Sequence, residues 1–208
     1  MKRNLFLILF VFCSITVLPQ QVPQFSQNMF NKLANNPAFA GSRDAISTTV
    51  LHRSQYMGFE GGPTTLNLSV DAPISLLHGG LGLNIIQDQI GEVELNTLDI
   101  KGSYAYTTEL GSGQLGIGLS FGIVQTGIDI TNLKIEQQND QAVPAASSSG
   151  SVFDLGAGLY YNSEDVYMGL SSTHLSEPTI ETDDSYISLE RHYFLIAGYY
   201  YFLNPNLS

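Results

Sequence analysis

Four histidines, nineteen acidic residues and one glycine-rich run are the groups in this chain that could hold a metal, move a proton or cradle a phosphate. The run is Gly111-Ser112-Gly113-Gln114-Leu115-Gly116, which matches GxGxxG. A nucleotide site needs such a loop to follow a strand and open a helix, so that backbone amides meet phosphate at the helix N-terminus. Here the residues that follow alternate apolar and small, so the run opens a strand and reads as a hairpin turn. His52, His78, His174 and His192 have neither the i, i+4 partner nor the cysteine company that metal ligation wants. They read as strand-end or interfacial residues. A Ser-His-Asp triad can be assembled from distant positions, but no G-x-S-x-G elbow is present. Glu177, Glu181, Asp183, Asp184 and Glu190 offer hard oxygen ligands without the alternating acids and central Gly of an EF-hand loop. They read as a solvated acidic loop whose field could select a cationic partner surface. The expectation is a non-enzyme with no cofactor and no metal.

The start of the chain bears on compartment. Lys2 and Arg3 precede an almost wholly apolar stretch from Leu5 to Leu18. That suits the h-region of a signal peptide and is too short for a bilayer-spanning helix. Cleavage is expected between Pro19 and Val22. The single cysteine, Cys13, lies inside this stretch behind the bulky Val11 and Phe12, which argues against a lipoprotein signal. The mature chain is then cysteine-free, with no disulfide and no thiolate ligand. It keeps six basic residues against nineteen acidic ones, a net charge of −13. Nucleic-acid binding needs cations facing phosphate and is excluded.

Period-2 alternation dominates the rest. Leu115, Ile117, Leu119, Phe121 and Ile123 alternate with Gly116, Gly118, Ser120 and Gly122. Leu66, Leu68 and Val70 alternate with Asn67, Ser69 and Asp71. Further strands are expected over 45–52, 80–87, 98–106, 153–161, 166–173 and 192–202. A soluble sandwich and a membrane barrel both alternate in this way. Two features favour the barrel. The second face is filled with Gly and Ser, as suits a crowded or watery lumen, and the later connections alternate between short and long. With the N-terminus in the periplasm, the long connections 127–151 and 174–191 fall outside. The stretch 137–150, rich in Gln, Ala and Ser, reads as a mobile outer loop. Trp is absent, and eleven tyrosines are available for an aromatic girdle. Asn204-Pro205-Asn206 reads as a turn with another strand starting behind it.

The domain organisation read from this is a signal peptide over 1–21, a lead-in or plug over 22–42, and a partial barrel over 43–208. In the lead-in, Phe25, Met29, Phe30 and Leu33 fall at helical spacing, and Asn35-Asn36-Pro37 would stop such a helix.

Two blocks stand apart from generic strand pattern. One is Pro23-Gln24-Phe25-Ser26-Gln27-Asn28-Met29-Phe30, running into Asn36-Pro37-Ala38-Phe39-Ala40-Gly41-Ser42. The other is Arg53-Ser54-Gln55-Tyr56-Met57-Gly58-Phe59-Glu60, followed by Gly61-Gly62-Pro63. The second has two readings. It is a demanding loop, with Gly58, Gly61 and Gly62 permitting positive φ, Pro63 fixing the entry to the next strand and Arg53 pairing with Glu60. Or it is a docking surface, with Tyr56 and Phe59 as apolar anchors oriented by Arg53, Gln55 and Glu60.

Together the blocks resemble the PorP/SprF family, outer-membrane proteins tied to type IX secretion and gliding motility. The second is similar to the family's R-x-Q-W-x-G-F-E-G-x-P pattern, with Tyr56 where Trp is usual. Similarity continues weakly through Gly80-Leu81-Gly82-Leu83 and Ile90-Gly91. The resemblance implies an all-β, antiparallel outer-membrane β-barrel in the cell outer membrane, in contact with lipid. It implies a non-enzymatic role that scaffolds or anchors secreted cargo, including surface adhesins, together with the type IX secretion machinery. It also implies a longer protein, so the chain is expected to be truncated or a fragment. The alternative is a small pore or uptake channel, in which Asp71, Asp99 and Asp154 would favour cations.

Overall fold

The structure is a computed structural model that describes residues 29–59, 61–91, 95–128, 147–182 and 186–201. Eight strands form one antiparallel sheet: β1 (Ser47–Ser54), β2 (Thr64–Ile74), β3 (Gly79–Ile90), β4 (Leu95–Leu110), β5 (Gly113–Ile128), β6 (Ser148–Asn162), β7 (Val166–Thr173) and β10 (His192–Tyr199). A two-stranded hairpin, β8 (Thr179–Glu181) and β9 (Tyr186–Ser188), lies inside the last long connection. The sheet is a meander that curls into a half-barrel, with β1 and β10 at its edges. All eight expected sheet strands are present. Several are longer than expected, because polar ends such as Thr107-Thr108-Glu109 continue to pair, here with β5.

Burial decides between sandwich and barrel, because it is inverted. Ile117, Leu119, Phe121 and Ile123 of β5 are exposed, Leu119 by 64%, and so are Leu155 and Leu159 of β6. The opposite face buries Asn67 and Asp154 completely and Ser69, Asn84, Lys101, Ser103 and Ser120 nearly so. A soluble protein buries the first set and exposes the second. The polarity suits a wall with hydrocarbon on one side and a packed polar interior on the other. Register holds this inversion, because a slip of one residue would turn every Leu inward.

The apolar band has membrane dimensions. Leu115 to Ile123 covers eight steps of about 3.3 Å, or roughly 26 Å along the strand. A tilt of about 40° brings its height to about 20 Å, near the ~25 Å of an outward apolar band. Outward-facing Tyr104, Tyr106, Tyr161 and Tyr199 gather towards the short-turn end of the sheet. Tyr104 donates its hydroxyl to the carbonyl of Leu77 in the β2–β3 connection (2.7 Å). Among the described residues no helix is long and apolar enough to cross a membrane.

Connections alternate between ends. Those at 75–78, 111–112 and 163–165 lie at one end, and the strand ends that bound the longer connections, Ser54 and Thr64, Ile90 and Leu95, Ile128 and Ser148, Thr173 and His192, lie at the other. The Gly91 N–H donates to the Gly61 carbonyl (3.0 Å), which joins two connections of the long-loop end. The signal peptide and most of the 137–150 stretch lie outside the described residues, although Ser148–Gly150 already belongs to β6.

The helix expected over 25–33 is corrected where it can be followed. Phe25 lies outside the described residues, Met29 and Phe30 lie in a turn and are exposed, and Leu33 is buried. The regular element comes later, as a 3-10 turn over Pro37–Phe39. Asn36 begins a helix rather than stopping one, because its Oδ1 accepts from the Ala38 N–H (2.9 Å) and Pro37 suits the first helical position.

Candidate functional site

The inner face of the sheet is covered from both ends. Residues 31–41 enter from the short-turn end and lie across β2 to β7. Asn31 donates to Asn67 Oδ1 (2.8 Å) and Ser69 Oγ (2.7 Å) on β2. The Gly41 N–H donates to Asp71 (3.2 Å). On the far side Asn36 donates to the Leu159 carbonyl (3.0 Å), and Ser171 donates to the Asn35 carbonyl (2.6 Å). Ala38, Phe39 and Ala40 are buried, and Phe39 meets Tyr160 edge-on with centroids 5.1 Å apart. The segment is a plug, and the inward glycines are its socket. A Cβ at Gly116 would stand 2.6 Å from the Ala38 carbonyl oxygen, and one at Gly118 would collide with the backbone of Pro37 and Ala38.

Lys32 of the plug sits in an aromatic cage. Its Nζ lies 3.6 Å over the Tyr167 ring and donates to the Tyr160 hydroxyl (3.2 Å). Burial, and then the Arg43 guanidinium, hold its pKa below the ordinary value.

At mid-height the inner face carries a buried charge cluster. Lys101 Nζ is 2.7 Å from Asp99 and 2.8 Å from Asp154, and His174 Nδ1 is 3.0 Å from the same Asp154 oxygen. Asp99 and Lys101 share a face of β4, while Asp154 is on β6. The residue between Lys101 and Asp154 on β5 is Gly122, and the lysine passes over it. A Cβ there would stand 2.6 Å from Lys101 Cγ. Asp71, Asp99 and Asp154 do lie on the inner face, yet Lys101 engages two of them and the plug engages the third. Among the described residues no group of three His, Cys, Asp or Glu is placed to hold a metal ion.

The acidic connection after β7 keeps its described acids, Glu177, Glu181 and Glu190, exposed as its charge suggests, and it also carries an apolar inner side. It folds back so that Ile180 is fully buried and Leu189 nearly so, packed with Val124, Val152 and Ile187. Its acids are carried outside this small core. Asp183 and Asp184 lie outside the described residues.

The Arg53–Pro63 block joins β1 to β2 at the long-loop end. Arg53 is paired in register with Thr65 and lies on the inner face, away from the tip. The Gln55 N–H donates to the Pro63 carbonyl (2.9 Å), and the Phe59 N–H to the Tyr56 carbonyl (3.0 Å). Tyr56 is held at φ 52, a conformation unusual for a side-chain-bearing residue, while Gly58 and Gly61 take φ 94 and 77. The result is a tied-down loop that exposes Tyr56 by 73%, Met57 by 87% and Phe59 by 76%. Glu60 lies outside the described residues. Met57 belongs to the same apolar tip and was missed by sequence reasoning, because it stands at a variable position of the motif. Lys101 and His174 were also missed as a pair. Their signal was present, in one lysine on a strand face beside an aspartate and opposite a glycine.

The chain that builds this inside-out wall, its plug and its demanding β1–β2 loop matches a known family. The model for the type IX secretion system membrane protein PorP/SprF matches residues 17–208. The chain belongs to the PorP/SprF family. It is therefore a membrane component of type IX secretion. No curated protein and no solved structure matches it. Within the PorP/SprF frame the two N-terminal blocks have distinct places: the Asn-Pro-Ala-Phe-Ala-Gly run packs on the inner face, and the Arg53–Pro63 run joins β1 to β2 at the opposite end.

Proposed function

We propose that this PorP/SprF protein is an outer-membrane, non-enzymatic scaffold that holds secreted cargo or a surface adhesin at its long-loop end, which faces the exterior. The observation that carries this reading is the β1–β2 tip. A loop that spends backbone strain to expose Tyr56, Met57 and Phe59 together is preorganised for an apolar partner. Its aromatics are of the kind that dominate binding energy. The covered interior also supports a scaffold over an open channel. The polar inner face favours the second reading, a small cation-selecting pore.

The test uses the full-length protein in membranes. Tyr56→Ala combined with Phe59→Ala should leave heat-modifiable gel mobility unchanged, since a loop tip adds little to the strand ladder. Recovery of the partner by pull-down should fall about thirtyfold, as expected for about 2 kcal/mol of hot-spot energy. Normal folding with unchanged recovery would remove the docking role, and lost folding would make the block a structural loop. A steady cation-selective current in planar bilayers that falls with Asp99→Asn and Asp154→Asn would move the conclusion to the pore.

A further inference from the structure

The connection after β7 has a second property, independent of whether the tip binds cargo. We propose that residues 174–182 and 186–191 form a latched lid over the inner face at the long-loop end, with the Asp154–His174 contact as its latch.

The chain reverses abruptly where β7 ends. His174 and Glu177 both take left-handed φ, 53 and 46, and the Glu177 N–H donates to the His174 carbonyl (3.0 Å). The Leu175 N–H donates to the Leu155 carbonyl (3.0 Å), which aims the following residues inward over β6. There β8 and β9 pair over three residues, and the Leu189 N–H closes the hairpin on the Pro178 carbonyl (2.9 Å). So short a hairpin does not hold itself in water. Its position depends on what lies beneath. Ile180 drops between Val124 and Val152, and Gly150 leaves the space, since a Cβ there would stand 2.6 Å from Ile180 Cγ2.

This apolar footing is small, and the other buried attachment is a single side-chain contact. His174 and Asp154 are buried, at 5% and 0% side-chain exposure, with His174 Nδ1 3.0 Å from the carboxylate. Removing the imidazole takes a polar neighbour from a buried carboxylate and weakens the closed state. Lys101 lies 2.8 Å from Asp154 independently of the lid, so the carboxylate keeps a cation beside it when the latch is broken. At the base of the lid Arg191 donates to the Leu175 carbonyl (2.6 Å) and faces Glu177 at 3.6 Å, in an exposed setting where an ion pair contributes little. The attachments thus separate into one buried latch, one apolar foot and one exposed tie.

The separation can be tested by accessibility. The chain's only cysteine, Cys13, is replaced by Ser, and Val124→Cys puts a thiol beneath the hairpin, where Val124 is 2% exposed. Maleimide modification of the folded full-length protein is timed in detergent micelles. The parent should label slowly. Adding His174→Gln should speed labelling at least tenfold with heat-modifiable mobility retained, and Ile180→Ser should do the same through the apolar foot. Arg191→Gln should leave the rate within twofold of the parent. Fast labelling of the parent, or equally slow labelling with His174→Gln and Ile180→Ser, would overturn the lid. Loss of folding in both variants would also overturn it, because the loop would then be part of the barrel core. The tip is untouched throughout, so partner recovery should stay normal, and the outcome is separate from that of the docking test.

Discussion

The plug and the lid cover the same inner face from opposite ends, and they do so with different chemistry. The plug approaches backbone to backbone. At Gly116 and Gly118 no side chain stands between it and the wall, and its polar contacts run mostly through neutral amides and hydroxyls of Asn31, Asn35, Asn36 and Ser171. The lid has one glycine beneath it, a handful of aliphatic side chains, and a buried His174–Asp154 contact. Close backbone packing tolerates almost no added volume, whereas a side-chain contact is lost with a single substitution. The same sheet therefore carries one covering that is fixed by shape and another that is fixed by a few side chains.

The largest effect should come from the charges. Lys101→Met keeps the chain length and leaves Asp99 and Asp154 facing each other beside the lid, without their cation. Breaking a buried pair in this way costs about 3–5 kcal/mol. The variant should lose most of its heat-modifiable form, or unfold at clearly lower urea. Asp99→Asn and Asp154→Asn added to it should restore folding, because neither position then buries a carboxylate without its cation. Failure of that restoration would mean that Lys101 acts through packing.

Shape comes next. Gly118→Leu places side-chain atoms where Pro37 and Ala38 lie, and overpacking of this kind costs about 1–3 kcal/mol. The control is Gly102→Leu on the outward face, where a Cβ would meet only the Phe121 carbonyl oxygen at 3.8 Å. Gly102→Leu should leave the urea midpoint nearly unchanged, while Gly118→Leu should lower it and expose residues 31–41 to protease. Equal effects from the two glycines would erase the distinction between socket and wall.

Much of the wall was legible in the sequence, and the coverings were not. Alternation in β5 is so regular that the strand and its two faces follow from Leu115 to Ile123 alone, while which face looks outward needed the burial of both. The inward glycines were legible as small, but small residues suit water and a packed plug equally well. Only Asn36, with its side chain capping Ala38 on one side and reaching the Leu159 carbonyl on the other, decides between them. Its local signal, Asn before Pro, marks both the end and the beginning of a helix. The lid was hidden for a different reason. Its acids dominate the composition, while the residues that fold it inward, Ile180, Ile187 and Leu189, are too few to show a period. Long-range pairing of His174 with Asp154, twenty residues away, leaves no local trace. The apolar tip was half legible, since Tyr56 and Phe59 stood out beside glycines and Met57 did not.

The smallest effect is expected where the plug does carry a charge. Lys32 is partly buried, its Nζ is 3.6 Å from the centre of Tyr167 and 5.5 Å from those of Phe39 and Tyr160, and Arg43 stands near enough to repel it. Two opposed effects act on the ammonium. Burial and Arg43 disfavour it, while the aromatic faces favour it by about 0.5–2 kcal/mol. Lys32→Met keeps the aliphatic volume and removes both, so the stability at neutral pH should change by less than about 1 kcal/mol. The pH dependence then distinguishes cancellation from indifference. The pKa of Lys32 is lowered in the fold from its ordinary 10.5. Between the lowered value and 10.5 the unfolded chain binds more protons than the folded one, so stability rises with pH across that window. The wild-type urea midpoint should therefore gain on that of Lys32→Met as pH is raised from 7 towards 10.5, measured in detergent at fixed ionic strength. A loss above about 2 kcal/mol at pH 7 would show that the plug, like the lid, hangs on a side-chain contact, and the contrast between the two coverings would fail.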